Sequence, residues 1–368
     1  MNKMIISNLV HRPIRSLISI TAIAVEVTLI LVIVGLSMGI LNDAKTRTAG
    51  IGADVMVRPP GSSNFVGVSG APVSIKVADI LRKLPHAAAV SPVVTQVNTG
   101  GGTLEVLYGI DLPSFESLSN GFRYIAGGPF TGPDDILVDD LVASSKHLKV
   151  GDHTEVLNHD FRVSGIVENG KGARKFMPIH TVQEMIGAQG KASIFYVRLD
   201  DPSNAAAFAE EVKKVPGMET YSAQSVKEWL SLMTPDNIPG FSAFINVVIG
   251  VSICIGFIVI FQSMYTAVME RTREIGILKS MGASKGYIVR LILRETMALA
   301  IAGILVGIAV SYIASYGIVH KFPTVRVVVQ PDWVMKAAII AVTGALLGAV
   351  YPALRAAQKD PIDALAYE

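Results

Sequence analysis

His147, His153 and His159 lie close together in the chain and invite a metal ion. Their spacing of six does not put two ligands on one helix face, and neither H-E-x-x-H nor C-x-x-C accompanies them. Exposed loop histidines are the expectation. Asp134-Asp135 and Asp139-Asp140 could supply paired carboxylates for hydrolysis, but on a strand flanked by turns they read as a solvated face. No Ser/His/Asp spacing stands out, and spacing alone would not define a triad. The sequence contains no phosphate loop G-x-x-x-x-G-K-[ST]; M-G-A-S-K-G-Y at 281–287 has the wrong spacing and follows no strand. Catalytic and metal-binding residues are therefore expected to be none. Two features remain: Glu26, an acid inside an apolar run, and the stretch E-R-T-R-E-I-G-I-L-K-S-M-G-A-S at 270–284.

The elements that carry them are set by hydropathy. Of 368 residues only 17% are charged, against roughly 25% in an average soluble protein, and mean hydropathy is +0.48. Four stretches, 17–40, 241–267, 296–319 and 334–354, are nearly free of charge over the roughly 20 residues that cross a hydrocarbon core. The N-terminal apolar run is longer than a signal peptide's, and no cleavage site follows it convincingly, so an uncleaved first span is expected. The lone Cys254 lies in the second run, so no disulfide forms within one chain. A net charge of +2 without a basic run gives no reason to expect nucleic acid.

Basic residues orient the spans. Lys3, Arg12 and Arg15 precede the first; Arg271, Arg273, Lys279, Lys285, Arg290 and Arg294 fill the connection between the second and third; Arg355 and Lys359 follow the fourth. The remaining short connection has only Lys321 and Arg326. Both termini and the 270–293 connection are thus expected in the cytoplasm, and residues 42–240 outside. That insert reads as mixed α/β in two subdomains, with a switch near 127–172: strands at 53–58, 90–98 and 103–110, and a helix over 74–84 capped by Ser74. Further strands fall at 135–140, 153–157, 161–167 and 193–199, this group placed in the second subdomain, and a helix at 205–215. Its apolar residues Phe115, Phe122, Tyr124, Phe130, Met177 and Met185 are expected in the core. Phe65 sits in a loop, where exposure would be informative.

Glu26 costs roughly 2.5–3.5 kcal/mol at a span's centre and is a functional candidate by default; the preferred reading is structural, hydrogen-bonded at the dimer seam or to a span-two residue such as Gln262. Lys336 can snorkel to the outer interface. Arg294-Glu295 reads as an anchor and local ion pair. In 270–284, a helical turn brings Ile275, Leu278 and Met281 together with Ile277 nearby, and Gly282 suits a C-cap. Such a helix could be an interfacial anchor. Mixed charge with two glycines suits a docking surface better.

The stretch closely resembles the cytoplasmic segment of the MacB/FtsX-like ABC transporter permeases, E-R-x-x-E-I-G-x-x-[KR]-[AS]-x-G-A-[ST], at Glu270, Arg271, Glu274, Ile275, Gly276, Lys279, Ser280, Gly282, Ala283 and Ser284. N-L-x-x-x-P-x-R-S before the first span resembles that family's elbow. Y-P-A-L-R-A-A-Q-K-D-P-I-D-A-L resembles its C-terminal signature at Pro352, Ala353, Ala356, Pro361, Ala364 and Leu365. The likeness is weakest in 50–119.

The resemblance implies an α-helical membrane protein with four transmembrane helices and a mixed α/β extracytoplasmic domain inserted between helices 1 and 2. Its parts would be an elbow (1–16), spans at 17–41, 241–269, 294–319 and 333–354, a coupling helix and loop (270–293), an outer loop (320–332) and a tail (355–368). It further implies a permease subunit in a bacterial plasma membrane that binds no cofactor itself. ATP and Mg would sit in two copies of a partner ATPase, contacted by Glu270, Arg271, Arg273, Glu274, Ile275, Gly276, Lys279, Met281, Gly282 and Ala283. Glu274, Ile275, Gly276, Lys279 and Gly282 would be central. A second permease chain, an adaptor or membrane-fusion protein and lipid would complete the partners. Export of a hydrophobic or amphiphilic cargo is the leading expectation. The alternatives are an FtsX-like transmitter that activates a cell-wall hydrolase, and a sensor that relays peptide binding to a kinase.

Overall fold

The computed structural model describes residues 13–62, 71–98 and 105–359. Residues 1–12 of the expected elbow, Phe65, Pro361 and Leu365 lie outside them. The described residues form two compact units, one drawn from 13–39, 239–320 and 327–359, the other from 40–62, 71–98, 105–238 and 321–326.

Among the described residues four helices are long and apolar enough to cross a membrane, and most of their length lies in the first unit: α1 (Pro13–Ala49), α8 (Phe241–Glu270), α10 (Lys285–Lys321) and α11 (Pro331–Gln358). Small residues set how closely they approach, since van der Waals packing drives helix association in lipid. A Cβ on Gly303 would lie 2.6 Å from Ile23 Cβ, and one on Gly307 would lie 2.8 Å from the Ala24 carbonyl oxygen, so α10 runs against the backbone of α1. On α11, Ala337, Ala341, Ala345, Ala349 and Ala353 are buried at four-residue steps, a stripe packed against α8. The helices outrun the apolar stretches. α10 begins at Lys285, so of the expected coupling helix and loop at 270–293 only Arg271 and 281–284 lie outside helices, and α1 continues to Ala49.

The second unit holds a ten-stranded mixed sheet. Its strands are β1 (Val55–Arg58), β3 (Ala87–Asn98), β4 (Glu105–Ile110), β5 (Tyr124–Gly127), β6 (Asp135–Asp139), β7 (His153–Val156), β8 (His159–Val167), β9 (Lys175–Pro178), β11 (Ile194–Leu199) and β12 (Ser222–Ser225). They run in the order β12-β1-β11-β3-β4-β9-β6-β8-β5, with β7 on β8. The ladder is continuous, and Ile194–Leu199, expected with the second subdomain, pairs with β1 and β3 at the other end. Helix Ala205–Lys214 forms where its spacing predicts, burying Phe208 and Val212. Phe115 and Phe122 belong to the core, Phe122 edge-on to Phe176 at 4.8 Å. The expected N-cap at Ser74 is corrected. β2 (Val73–Ser74) pairs with β10 (Lys191–Ala192) in a separate two-stranded sheet, which delays the helix to Val77–Leu81, without a side-chain cap.

The acid pairs are corrected too. Asp135 and Asp139 are 3% and 1% exposed, not a solvated face. Asp135 accepts from the Thr131 and Gly132 amides at 2.9 Å and from Arg162. Burial raises its carboxyl, but these donors outweigh burial and hold it at about 2. Asp139 caps helix Asp140–Lys146 through the Val142 amide at 2.7 Å and faces Arg174 at 3.0 Å; burial pushes it up to about 6 against that guanidinium. His153 and His159 sit on strands beside Asp160 and Asp134. Among the described residues no cluster of three His, Cys, Asp or Glu side chains could hold a metal ion.

Candidate coupling site

The 270–284 stretch folds as a corner. α8 ends at Glu270, α9 occupies Thr272–Ser280, and α10 starts at Lys285. Gly282 stops α9 because the chain there turns left-handed, φ +97°, which glycine adopts without a Cβ penalty. Its amide donates to the Lys279 carbonyl at 3.0 Å and the Ala283 amide donates to the Leu278 carbonyl at 3.0 Å, the paired bonds of a Schellman motif.

α9 has two faces, and they do not divide as sequence periodicity suggests. Facing in, Thr272 and Gly276 are buried, and Ile275, Leu278 and Ala283 pack on the bundle core. Lys279 also turns inward, donating to the Ala357 carbonyl at 3.0 Å and to that of Lys359. These acceptors belong to the last turn of α11, where free carbonyls favour a cation. Facing out are Arg273, Glu274, Ile277, Ser280 and Met281. Met281, expected beside Ile275 and Leu278, is instead 71% exposed, and Ile277 is 43% exposed. The outward face is thus two apolar side chains among polar neighbours of both signs, with Glu270 exposed before it.

A buried ion pair fixes the corner. Arg271 donates to both Glu295 oxygens at 3.0 and 3.3 Å, with side-chain exposures of 11% and 7%. Glu295, expected to pair with its neighbour Arg294, thereby ties the α8–α9 junction to α10. Of the ten positions implied as ATPase contacts, Arg271, Gly276 and Lys279 are spent inside the bundle. Glu270, Arg273, Glu274, Met281 and Gly282 are exposed, as is Ile277. Pro352 is buried inside α11, in the last turns before Lys279's acceptors.

Glu26 is 3% exposed, and its Oε1 is buried without a hydrogen-bond partner. It does not meet Gln262, which is exposed and lines a groove of about 710 Å³ between α1 and α8. Its carboxyl instead fills the space left by two glycines. A Cβ on Gly256 would lie 2.7 Å from Glu26 Cδ, and one on Gly344 would lie 4.0 Å from Oε1. Lys336 lies over the Trp333 ring at 4.6 Å, a cation–π contact beside Asp332.

Within the second unit the sequence hid a further polar node. Asp43, near the end of α1, faces Arg47 at 2.9 Å, Arg174 at 2.9 Å and Arg326 at 3.7 Å. Arg174 also donates to the Thr324 carbonyl at 3.0 Å. The segment between α10 and α11 is therefore held to the sheet by guanidinium groups.

A family profile described as the MacB-like periplasmic core domain matches residues 16–215, and one described as the FtsX-like permease C-terminal matches residues 246–361. The Macrolide export ATP-binding/permease protein MacB of Shewanella sp. (strain W3-18-1) is 25% identical over 389 residues, covering 97% of this chain and 59% of its own length. The MacB of Rhodopirellula baltica is 30% identical over 182 residues, covering 47% of this chain and 26% of its own. The uncharacterized ABC transporter permease YknZ of Bacillus subtilis (strain 168) is 34% identical over 129 residues, 34% of this chain and 32% of its own length. The chain thus spans less than two thirds of these curated relatives. Among solved structures, the periplasmic region of MacB from Actinobacillus actinomycetemcomitans covers 52% of this chain and 97% of its own at 19% identity and TM-score 0.38. The extracellular domain of YknZ covers 47% and 99% at 14% identity and TM-score 0.37.

Proposed function

The chain belongs to the MacB/FtsX-like family of ABC transporter permeases, and on that premise we propose that it couples ATP hydrolysis, performed outside these 368 residues, to movement of its inserted domain. Two ATPase copies close on ATP and Mg and carry α9 with them. Because α9 is clamped to α10 by Arg271–Glu295 and to α11 by Lys279, it moves with the helices as a rigid body, not as a loose loop. α1 and α8 bracket the insert in sequence and relay that motion to it. A second permease chain completes a C2 assembly, with both termini cytoplasmic. The work is export of a hydrophobic or amphiphilic cargo, with a periplasmic adaptor where one exists.

The observation that carries this reading is the two-sidedness of α9. Ile277 and Met281 stand exposed among charges while the opposite face is bolted down. Apolar anchors inside a polar rim are the anatomy of a protein-docking surface. The experiment is Ile277→Asp with Met281→Asp. Neither side chain supports the bundle, so the variant should insert and fold normally, yet lose co-purification with the ATPase. Undiminished co-purification would refute the docking assignment.

A further inference from the structure

Ser19 of α1 and Ser263 of α8 share a hydrogen bond between their hydroxyls at 2.6 Å. Seven residues on along α1 and seven back along α8, Glu26 lies against Gly256. The two helices therefore run antiparallel in one register, and that register leaves a fault. Among the described residues, Glu26 Oε1 is buried without a hydrogen-bond partner, which is costly where water is excluded. One turn away on the same face of α8 is buried Ser252, whose hydroxyl donates to the Val248 carbonyl of its own helix at 2.9 Å.

α10 carries a matching row. Gly303 and Gly307 receive Ile23 and Val27 of α1, and buried Ser311 and Ser315 continue the row at the same four-residue step. A slide of the other helices along α1 by one turn, about 5.4 Å, is therefore asymmetric. Toward α9 it brings Ser252 to Glu26, Ser263 to buried Ser16, Gly307 to Ile23 and Ser311 to Val27. On α11, Ala341 then takes the place of Gly344 beside Glu26. The opposite slide drives Ile260 into Glu26 and Leu299 into Ile23, where their added bulk overpacks the bundle.

We propose that α8, α9, α10 and α11 move as one block along α1 by a single turn, a ratchet between two packings in which Glu26 exchanges its glycine niche for the Ser252 hydroxyl. A block gripped at α9 is what an ATPase would pull, so the slide rests on the coupling reading. α1 and α8 lead into opposite ends of the inserted domain, and their relative slide displaces those ends by about 5.4 Å. Nonhelical residues 327–330, held to α1 by the Val328 amide on the Gly35 carbonyl at 2.9 Å, take up the shift between α1 and α11.

The test is disulfide trapping of the full chain with its ATPase in proteoliposomes, in a Cys254→Ala background. A disulfide forms only where Cα atoms come within about 7 Å. Ser19→Cys/Ser263→Cys reports the register described, while Ser16→Cys/Ser263→Cys and Val27→Cys/Ser311→Cys report the slid one. Switching between nucleotide-free and ATP-analogue-bound states should exchange the first disulfide for the other two, each yield changing severalfold. Ser252→Ala keeps the packing but removes the donor, so it should cut both slid disulfides severalfold and spare the first. The first disulfide alone in both states, with the ATPase bound and hydrolysing ATP, would overturn the slide and leave docking intact. Slid disulfides formed equally with and without nucleotide would keep the slide but overturn the coupling it rests on. An Ile23→Cys/Leu299→Cys disulfide would refute the direction, and slid disulfides undiminished by Ser252→Ala would refute the role of Glu26.

Discussion

Replacing Arg271 with Gln tests whether the α9 corner is a rigid joint. At about 3 Å and an effective dielectric near 20, the Arg271–Glu295 attraction is about 5 kcal/mol, and both side chains are largely withdrawn from solvent. Removing one member of such a pair typically costs about 3–5 kcal/mol, because the other charge keeps its desolvation penalty and loses its partner. Replacing both with neutral amides removes both penalties, so Arg271→Gln/Glu295→Gln should recover most of the loss. The parent and the two variants would be unfolded reversibly in mixed micelles, with Trp333 fluorescence reporting on the bundle in a Trp229→Phe background. ATP turnover by the assembled complex would be followed in parallel. The single variant should be the least stable of the set and the least coupled. If it lies within about 1 kcal/mol of the parent, as an exposed pair would, or if the double variant is no better, the clamp is not what holds the corner.

The niche around Glu26 makes a second cycle. Gly256→Ala should destabilise the bundle by about 1–3 kcal/mol through overpacking, Glu26→Ala should relieve that clash in the double variant, and Glu26→Gln alone should leave transport intact; stability without rescue would place the collision elsewhere. Asp43→Asn removes the carboxylate shared by Arg47, Arg174 and Arg326, so amide exchange should accelerate across 321–326; unchanged protection would show that the Thr324 carbonyl bond suffices. Burial pushes the Asp139 carboxyl up to about 6 from the usual 3.8. Its contribution to stability is therefore complete below pH 3.8 and lost as pH rises through 6, up to about 3 kcal/mol for a shift of roughly two units. Trp229 fluorescence in a Trp333→Phe background should show the inserted domain gaining stability from pH 7.5 to 5, and Asp139→Asn should flatten that slope.

The spans were legible because twenty apolar residues leave a chain few alternatives, and the strands because β-branched runs broken by glycine and proline are local signals. What partners each element is not local. Beyond the Asp43–Arg47 pair, nothing in N-D-A-K-T-R-T announces that α1 continues to Ala49, and a contact that holds this end, Arg47 with Gly172, reaches 125 positions away. Asp139 read as surface because its partner Arg174 is 35 residues downstream. In α9 the apolar spacing of Ile275, Leu278 and Met281 is plain in the sequence, but only the first two turn inward. Small Gly276 and long Lys279 face inward because the end of α11 offers both close packing and free carbonyls, and that displaces Met281 outward. The phase that groups Arg273, Glu274, Ile277 and Met281 is present in the sequence, at steps of one, three and four residues. The i, i+4 pair Asp43–Arg47 is likewise present.

The most direct test places a photo-crosslinking residue singly at Ile275, Ile277, Leu278 and Met281 in the assembled complex. Docking through the outward face predicts adducts to the ATPase from 277 and 281 and none from 275 and 278. Adducts from the inward pair, or an outward pair that captures only lipid, would contradict it.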